Sequence, residues 1–150
     1  MFQHLQNVFK SLNAHDVRYV VIGGIAAIAH GVPRNTFDLD ILIDATSENA
    51  DRLLEALVSA GLGTASLIDA TQLLSKEITI FKDIARIDVR TATPGMVFAD
   101  AWSRRQTIPV AGVPVHVVSR ADLIASKRAA GRPVDLSDIR ALESTDAHDS

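Results

Sequence analysis

The sequence predicts one domain of the α/β or α+β class, in which helices flank a mixed β-sheet and further helices follow at the C-terminus. Three observations predict this class. Strand-like and helix-like segments alternate early in the chain, two strand-like runs form a hairpin in the middle, and helix-like segments close it. The chain has 150 residues, 47% of them hydrophobic, which suits one core. We expect a single domain over residues 1–144, followed by a polar, disordered tail at 145–150.

The first elements are a helix, a strand and a second helix. Apolar residues recur at three- and four-residue steps over positions 2–12, which predicts an amphipathic helix that ends near His15-Asp16. A β-rich run at 18–22 follows, and the pair Gly23-Gly24 separates it from a run of helix formers at 25–30. The pattern therefore predicts a strand, a glycine bend and a helix.

The next strand carries two acids. From Phe37 to Ile43 the acidic half alternates, which places Asp38 and Asp40 on one face and apolar residues on the other. An apolar stripe with helical spacing then predicts a long helix that Ser47 caps.

The second half contains a hairpin and short elements. Residues 76–90 alternate on both sides of a turn at Lys82-Asp83, and Asp88 lies on the polar face of the second strand. The remaining predicted elements are a helix at 96–102, strands at 107–110 and 113–118, a helix capped by Ser119 that runs to about Ala130, and a last helix at 136–143.

Charge and composition exclude some classes of protein. The net charge of -3 and pI near 5.9 argue against nucleic-acid binding through bulk electrostatics. Basic pairs such as Arg104-Arg105 are either local contact points or ordinary solvated charges. The N-terminus lacks the pattern of a secretory signal, and the apolar run at 19–29 is shorter than the ~20 residues of a membrane span. We therefore expect a cytoplasmic protein without a membrane partner.

Asp38 and Asp40 are candidate metal ligands. Two carboxylates within about 4 Å of each other repel by ~4 kcal/mol at an effective dielectric near 20, so a cation between them is favoured. Mg²⁺ accepts carboxylate oxygens and leaves positions for phosphate. The alternative is that both acids are solvated and bind nothing. The bend at Gly23-Gly24 offers backbone N–H groups without side-chain obstruction, which suits a phosphate group.

This order of elements resembles that of the DNA polymerase β-like nucleotidyltransferase superfamily. In both, a strand ends in two glycines and is followed by a helix, a loop and a strand that reads D-x-D. The stretch AIAHGVPRNTFDLDILI is similar to the minimal nucleotidyltransferases and the AbiEii-like toxins among its small prokaryotic members. The superfamily places a third acid on a later strand of the same sheet, and Asp88 in ARIDVR occupies that position.

The resemblance implies a function and a set of site residues. Asp38, Asp40 and Asp88 would be catalytic and would bind two Mg²⁺ ions, for which Mn²⁺ could substitute. Gly23 and Gly24 would cradle the triphosphate of an NTP donor such as ATP. The enzyme would transfer a nucleoside monophosphate to an acceptor hydroxyl and release pyrophosphate.

Many relatives have Gly-Ser where this chain has Gly23-Gly24, which leaves phosphate binding to the backbone and other side chains. Arg34 and Thr36 are candidates, with plain solvation as the alternative. Lys127 points toward the buried side of its predicted helix, so it either reaches the triphosphate or extends to water.

The sequence does not specify the acceptor. A tRNA end, a partner protein or a small molecule bound across a homodimer would each fit, and the toxin-like resemblance favours tRNA or protein. The alternative from another class is a catalytically inactive nucleotide-binding or toxin–antitoxin module of the same fold. A phosphohydrolase that uses the same metals has no identifiable motif.

Overall fold

The computed structural model describes residues 2–36 and 38–149. The helices are α1 (Phe2–Ala14), α2 (Gly23–Ala29), α3 (Ser47–Ser59), α4 (Ala70–Leu74), α5 (Phe98–Ser103), α6 (Arg120–Ala130) and α7 (Pro133–Asp149), and a 3-10 helix spans Gly63–Leu67. The strands are β1 (Tyr19–Ile22), β2 (Leu39–Ile43), β3 (Ile78–Lys82), β4 (Arg86–Arg90), β5 (Gln106–Val110) and β6 (Val113–Val117).

All six strands form one sheet in the order β3-β4-β2-β1-β6-β5. Strand β1 is antiparallel to β2 and parallel to β6, while β4 is parallel to β2 and antiparallel to β3. The predicted mixed sheet with flanking helices is thereby confirmed. All four residues of β1 are buried, so this central strand is covered on both faces and lies in the middle of the core.

Strand β2 is shorter than predicted at its start. It begins at Leu39, so Asp38 precedes the strand, and the predicted first residue, Phe37, lies outside the described residues. The two glycines also differ from expectation, because Gly23 and Gly24 are the first residues of α2 and do not form a separate bend before it. Strand therefore passes directly into helix at this position.

Two helix boundaries correct the predictions. The N-cap of α3 is Thr46, whose side chain accepts a hydrogen bond from the Asn49 backbone N–H, and Ser47 is the first helical residue. The final helix begins at Pro133, a favoured first position, and therefore includes part of the segment that was expected to separate two helices. The prediction of a disordered tail at 145–150 stays a prediction, since side chains there lie outside the described part.

The 3-10 helix and α4 were not predicted. A capping box in which Asp69 and Gln72 exchange side-chain and backbone hydrogen bonds begins α4, and it is a signal that the sequence carries. Within residues 2–36 and 38–149, no helix combines the length and the apolar character needed to cross a membrane.

Candidate active site

Asp40 and Asp88 lie side by side in the sheet. The parallel strands β2 and β4 are paired so that Asp40 is the register partner of Asp88. Register partners in neighbouring strands project from the same face, which brings two acids 48 positions apart in the chain together. On the other side of β2, Asp40 is level with Ile22, the last residue of β1. The two acids therefore lie where β1 passes into α2.

Gly23 is packed against the carboxylate of Asp40. Its backbone has φ of +68°, and a Cβ at this position would lie 3.1 Å from both Cβ and Oδ2 of Asp40. Gly24 approaches the following loop in the same way, because its Cβ would lie 2.8 Å from Thr36 Cγ2 and 3.4 Å from Arg34 Nη1. Glycine is needed at both positions for backbone and side chains to approach this closely.

Each of the paired acids has an arginine partner. Arg90 donates from Nε to Asp40 Oδ1 at 2.9 Å, and Arg86 donates from Nε to Asp88 Oδ1 at 3.1 Å. Burial raises the pKa of Asp40 above its ordinary value, Arg90 opposes that effect, and the neighbouring charge of Asp88 adds to it. Two carboxylates are thus held together partly out of water, with guanidinium groups that offset their repulsion.

Asp38 lies apart from this pair. Its side chain is exposed, and its backbone N–H donates to Thr36 Oγ1 at 3.4 Å. Within the described ranges, no group of three or more His, Cys, Asp or Glu side chains is arranged to hold a metal ion. Arg86 connects the three acids electrostatically: its pKa is raised first by Asp88 and more weakly by Asp38 and Asp40.

A cleft of about 220 Å³ opens beside Asp40. It lies between the sheet and helix α6, and its floor includes Gly23 and Asp40. The side chains that line the rest of it come from β4, from the following loop and from the α6–α7 region: Arg90, Thr93, Pro94, Leu123, Ser126, Lys127, Ala130, Arg132 and Asp135. Asp40 therefore borders a cavity that basic side chains also line, whereas Asp38 and Asp88 are not among its lining residues.

Lys127 lies in the wall of this cleft and is only 5% exposed. Its Nζ donates to Asp138 Oδ2 at 2.8 Å and lies 3.9 Å from Asp135 Oδ1. The predicted orientation toward the buried side is confirmed by this burial. The alternative that Lys127 extends to water is wrong, because two buried acids hold its ammonium group inside.

The same two acids bind further cations. Arg34 donates from Nη1 to Asp138 Oδ2 at 2.8 Å, so Arg34 is not merely solvated. Arg132 donates from Nε to Asp135 Oδ2 at 2.6 Å; burial alone would raise the pKa of Asp135, but the hydrogen bonds and charge of Arg132 lower it. The pKa of Arg132 is raised mainly by Asp135 and also by Asp40, which links the network to the acid pair.

Sequence reasoning missed several residues of this site: Arg86, Arg90, Arg132, Asp135 and Asp138. The signal for the last two was present, since Asp135, Asp138 and Leu142 recur at three- and four-residue steps and all three are buried. Acids on the apolar stripe of a helix require a cationic partner, and Lys127 is such a partner in the preceding helix.

Asp40 and Asp88 are the residues of this site that could contribute carboxylate oxygens to a hard divalent cation. Asp40 and Asp88 present neighbouring carboxylates on one face of the sheet, and Asp38 lies two residues from Asp40. Carboxylate oxygens are the ligands that Mg²⁺ prefers in proteins.

Comparisons with known proteins identify a family and a fold. The model of a family described as "Nucleotidyltransferase of unknown function (DUF6036)" matches residues 1–149. A crystal structure of a Thermotoga maritima protein (TM1012), assigned as a nucleotidyltransferase, aligns with a TM-score of 0.53 and 16% identity over 93% of this chain and 86% of that one. This likeness supports the fold. Among proteins of curated function, none matches.

Proposed function

The chain belongs to this nucleotidyltransferase family, and from that premise we propose that it is a metal-dependent enzyme that transfers a nucleoside monophosphate from an NTP, such as ATP, to an acceptor hydroxyl. Pyrophosphate is the leaving group. We propose that the acceptor is a tRNA end, a protein or a small molecule. We also propose that the enzyme acts in the cytoplasm and belongs to a toxin–antitoxin system.

The observation that carries the proposal is the register of Asp40 and Asp88 beside Gly23. A pair of ionised acids on one face is costly unless cations offset it, and a core-forming sheet has no structural need for it. Phosphoryl transfer depends on neutralising charge and aligning two oxygens, which acids that hold a cation beside a phosphate site can do.

Asp40 and Asp88, joined by Asp38, would hold Mg²⁺ or Mn²⁺. The bound metal would supply charge neutralisation at the phosphates and lower the pKa of the acceptor hydroxyl. Asp38 is the exposed member of the trio, so it is the one that solvent and substrate reach first.

The remaining roles fall to groups that line or border the cleft. Gly23 and Gly24 would contribute backbone N–H groups to the triphosphate, and their lack of a Cβ lets Asp40, Thr36 and Arg34 approach the same segment. Lys127 and Arg132 line the cleft and supply positive charge toward the phosphates. Arg34 and Thr36 border Gly24 and contribute a guanidinium and a hydroxyl there. These groups orient the donor so that its α-phosphate faces the acceptor.

One observation favours the alternative, a catalytically inactive module of the same fold. Asp40 and Asp88 already have Arg90 and Arg86 as partners, so a metal is not required to offset their charges. In such a module, Arg90 and Arg86 would offset the charges of Asp40 and Asp88, and no metal ion would bind there. The family's description as nucleotidyltransferases favours the enzyme.

The test is pyrophosphate release. The protein is mixed with Mg²⁺ and each of the four labelled NTPs, with total RNA or cell lysate as the source of acceptor, and the labelled product is followed. We expect release and label transfer with at least one donor, and loss of both in Asp40→Asn. Absence of release with every donor and acceptor would favour the inactive module.

A further inference from the structure

A second cleft, of about 480 Å³, lies away from the acid pair. We call it the arginine-tryptophan cleft, after four of its lining residues: Arg18, Trp102, Arg105 and His116. It adjoins the first residues of β1, whereas the candidate active site adjoins the last. At about 3.3 Å per residue the two ends of β1 are ~10 Å apart.

Arg105 is held in one orientation at this cleft. Its guanidinium carbon lies 3.6 Å from the centroid of the Trp102 ring, which is a close cation–π contact. Its Nη1 donates to the Trp102 carbonyl at 2.8 Å and its Nε to His116 Nδ1 at 3.3 Å. Since a guanidinium has five N–H donors, three remain for a ligand in the cleft.

His116 presents a neutral ring to the same space. Burial lowers the pKa of His116 and the charge of Arg105 lowers it further, so the ring is neutral at pH 7. Because Nδ1 accepts the hydrogen bond from Arg105, the proton of the neutral ring is on Nε2. His116 therefore lines the cleft as a neutral ring and adds no charge to it.

Positive charge exceeds negative charge around the ring. Arg18 lies 5.2 Å from the Trp102 ring, and its only ion pair in the described part of the chain is a 3.6 Å contact with Asp44. Over residues 2–36 and 38–149, no carboxylate forms an ion pair with Arg105. Asp16, an exposed residue, also lines the cleft and is its one acid.

We propose that the arginine-tryptophan cleft binds a phosphate and an adjoining base of a single-stranded RNA, which is the acceptor of the proposed transfer reaction. Fixed guanidinium groups recognise phosphate oxygens, and bases of unpaired RNA stack on aromatic rings and on arginine planes. This inference rests on the proposed function only for the role of acceptor.

A strand fits these observations better than a free nucleotide or an acidic peptide. The cleft and the acid pair adjoin opposite ends of β1, ~10 Å apart, and a strand of several nucleotides has the length to extend from one to the other, which a mononucleotide bound in the cleft does not. An acidic peptide would use the arginines but not the ring. The net charge of -3 means that binding depends on this local site.

The test measures binding without NTP or Mg²⁺. The full chain is titrated with fluorescein-labelled hexa-adenylate RNA, with adenosine 5′-monophosphate and with a phosphoserine peptide, using anisotropy and the fluorescence of Trp102, which is the one tryptophan in the sequence. We expect the RNA to quench Trp102, and Arg105→Gln to weaken RNA binding about tenfold. One phosphate contact predicts a slope of log K against log[salt] of about −0.7.

Arg104→Gln is the matched control, because it removes the same charge from the neighbouring residue, which is paired with Asp122 and does not line the cleft. Equal weakening by both variants, or no binding of RNA, would overturn the site. If adenosine 5′-monophosphate binds as tightly as the RNA, the ligand is a free nucleotide and the proposal of an RNA strand is wrong. If the phosphoserine peptide binds more tightly than the RNA, the ligand is a protein and the proposal is also wrong. Asp40→Asn should still bind RNA, which separates this site from catalysis.

Discussion

Arg90 donates from Nε to Asp40 Oδ1 at 2.9 Å, so the carboxylate beside the glycine turn has a cationic partner from the neighbouring strand. In the proposed enzyme a metal ion bound by Asp40 would also offset the charge that Arg90 offsets here. The relation between these two residues decides whether the acid pair is an active centre or a static ion-pair cluster. It also provides a test that needs no substrate.

Arg90→Gln should destabilise the metal-free protein by about 1–3 kcal/mol, because it leaves a partly buried carboxylate without its charged donor. Addition of Mg²⁺ should raise the thermal midpoint of this variant more than that of the wild type, since a metal at Asp40 would replace the lost charge. Arg128→Gln is the control, because it breaks an exposed pair with Glu143. Equal Mg²⁺ effects on all three proteins would remove Asp40 from the metal ligands.

Asp40→Asn should abolish nucleotidyl transfer while the thermal midpoint at pH 7 stays the same or rises. The charged carboxylate is disfavoured by burial and by Asp88, and asparagine removes that charge. Pyrophosphate release and a thermal melt measure the two effects. An active Asp40→Asn protein would contradict the assignment of the acids.

The raised pKa of Asp40 predicts that the stability of the protein depends on pH. The folded-state pKa of Asp40 lies above its ordinary value of 3.8, so its contribution to stability is complete below that pH and is lost as pH rises through the folded-state pKa. The Asp40→Asn variant has no carboxyl group at this position, so it does not lose this stability as the pH rises. The midpoint of the variant minus that of wild type should therefore increase between about pH 4 and pH 7, and a constant difference would contradict the shift.

Gly23→Ala should lower both stability and activity. The residue has φ of +68°, and the added Cβ would lie 3.1 Å from Asp40 Oδ2, so we expect a cost of about 1–2 kcal/mol and a displaced carboxylate. Gly63→Ala is the matched control, because no atom lies within 4 Å of its Cβ position, and it should be neutral or stabilising by ~0.4–1 kcal/mol. Urea denaturation and transfer assays of both variants compare them.

Asp138→Ala should destabilise the protein by about 3–5 kcal/mol. Asp138 accepts hydrogen bonds from both Lys127 and Arg34, so its removal leaves the buried ammonium without its closest partner. Glu143→Ala removes an exposed acid from the same helix and should cost about 0–1 kcal/mol. Similar losses in the two variants, measured by urea denaturation, would mean that the buried network does not support the fold.

Lys127→Ala should weaken NTP binding about tenfold without unfolding the domain. Each acid keeps a cation after the substitution, since Asp138 retains Arg34 and Asp135 retains Arg132. Calorimetric titration with an NTP measures the affinity, and Lys10→Ala, an exposed lysine of α1, is the control. Unchanged affinity in Lys127→Ala would restrict this lysine to a structural role.

Local patterns in the sequence determined the elements and the first part of the site. The mixed sheet, the strand and the helix on either side of the glycine pair and the cap at Ser119 all follow from periodicity and turn chemistry, which depend on neighbours in the chain. The acid of the later strand was predicted as well, through its family position on the polar face of β4.

Tertiary structure alone decided which charges meet. Strand order and register place Asp88 beside Asp40, and side-chain packing gives Arg90 to Asp40 and Asp138 to Lys127. Arg90 and Asp40 lie 50 positions apart, so no local sequence pattern marks them as an ion pair. In the sequence, Arg90 cannot be distinguished from an arginine that has no such partner. Pairing across the sheet is a property of the whole fold, since it follows from which strands become neighbours.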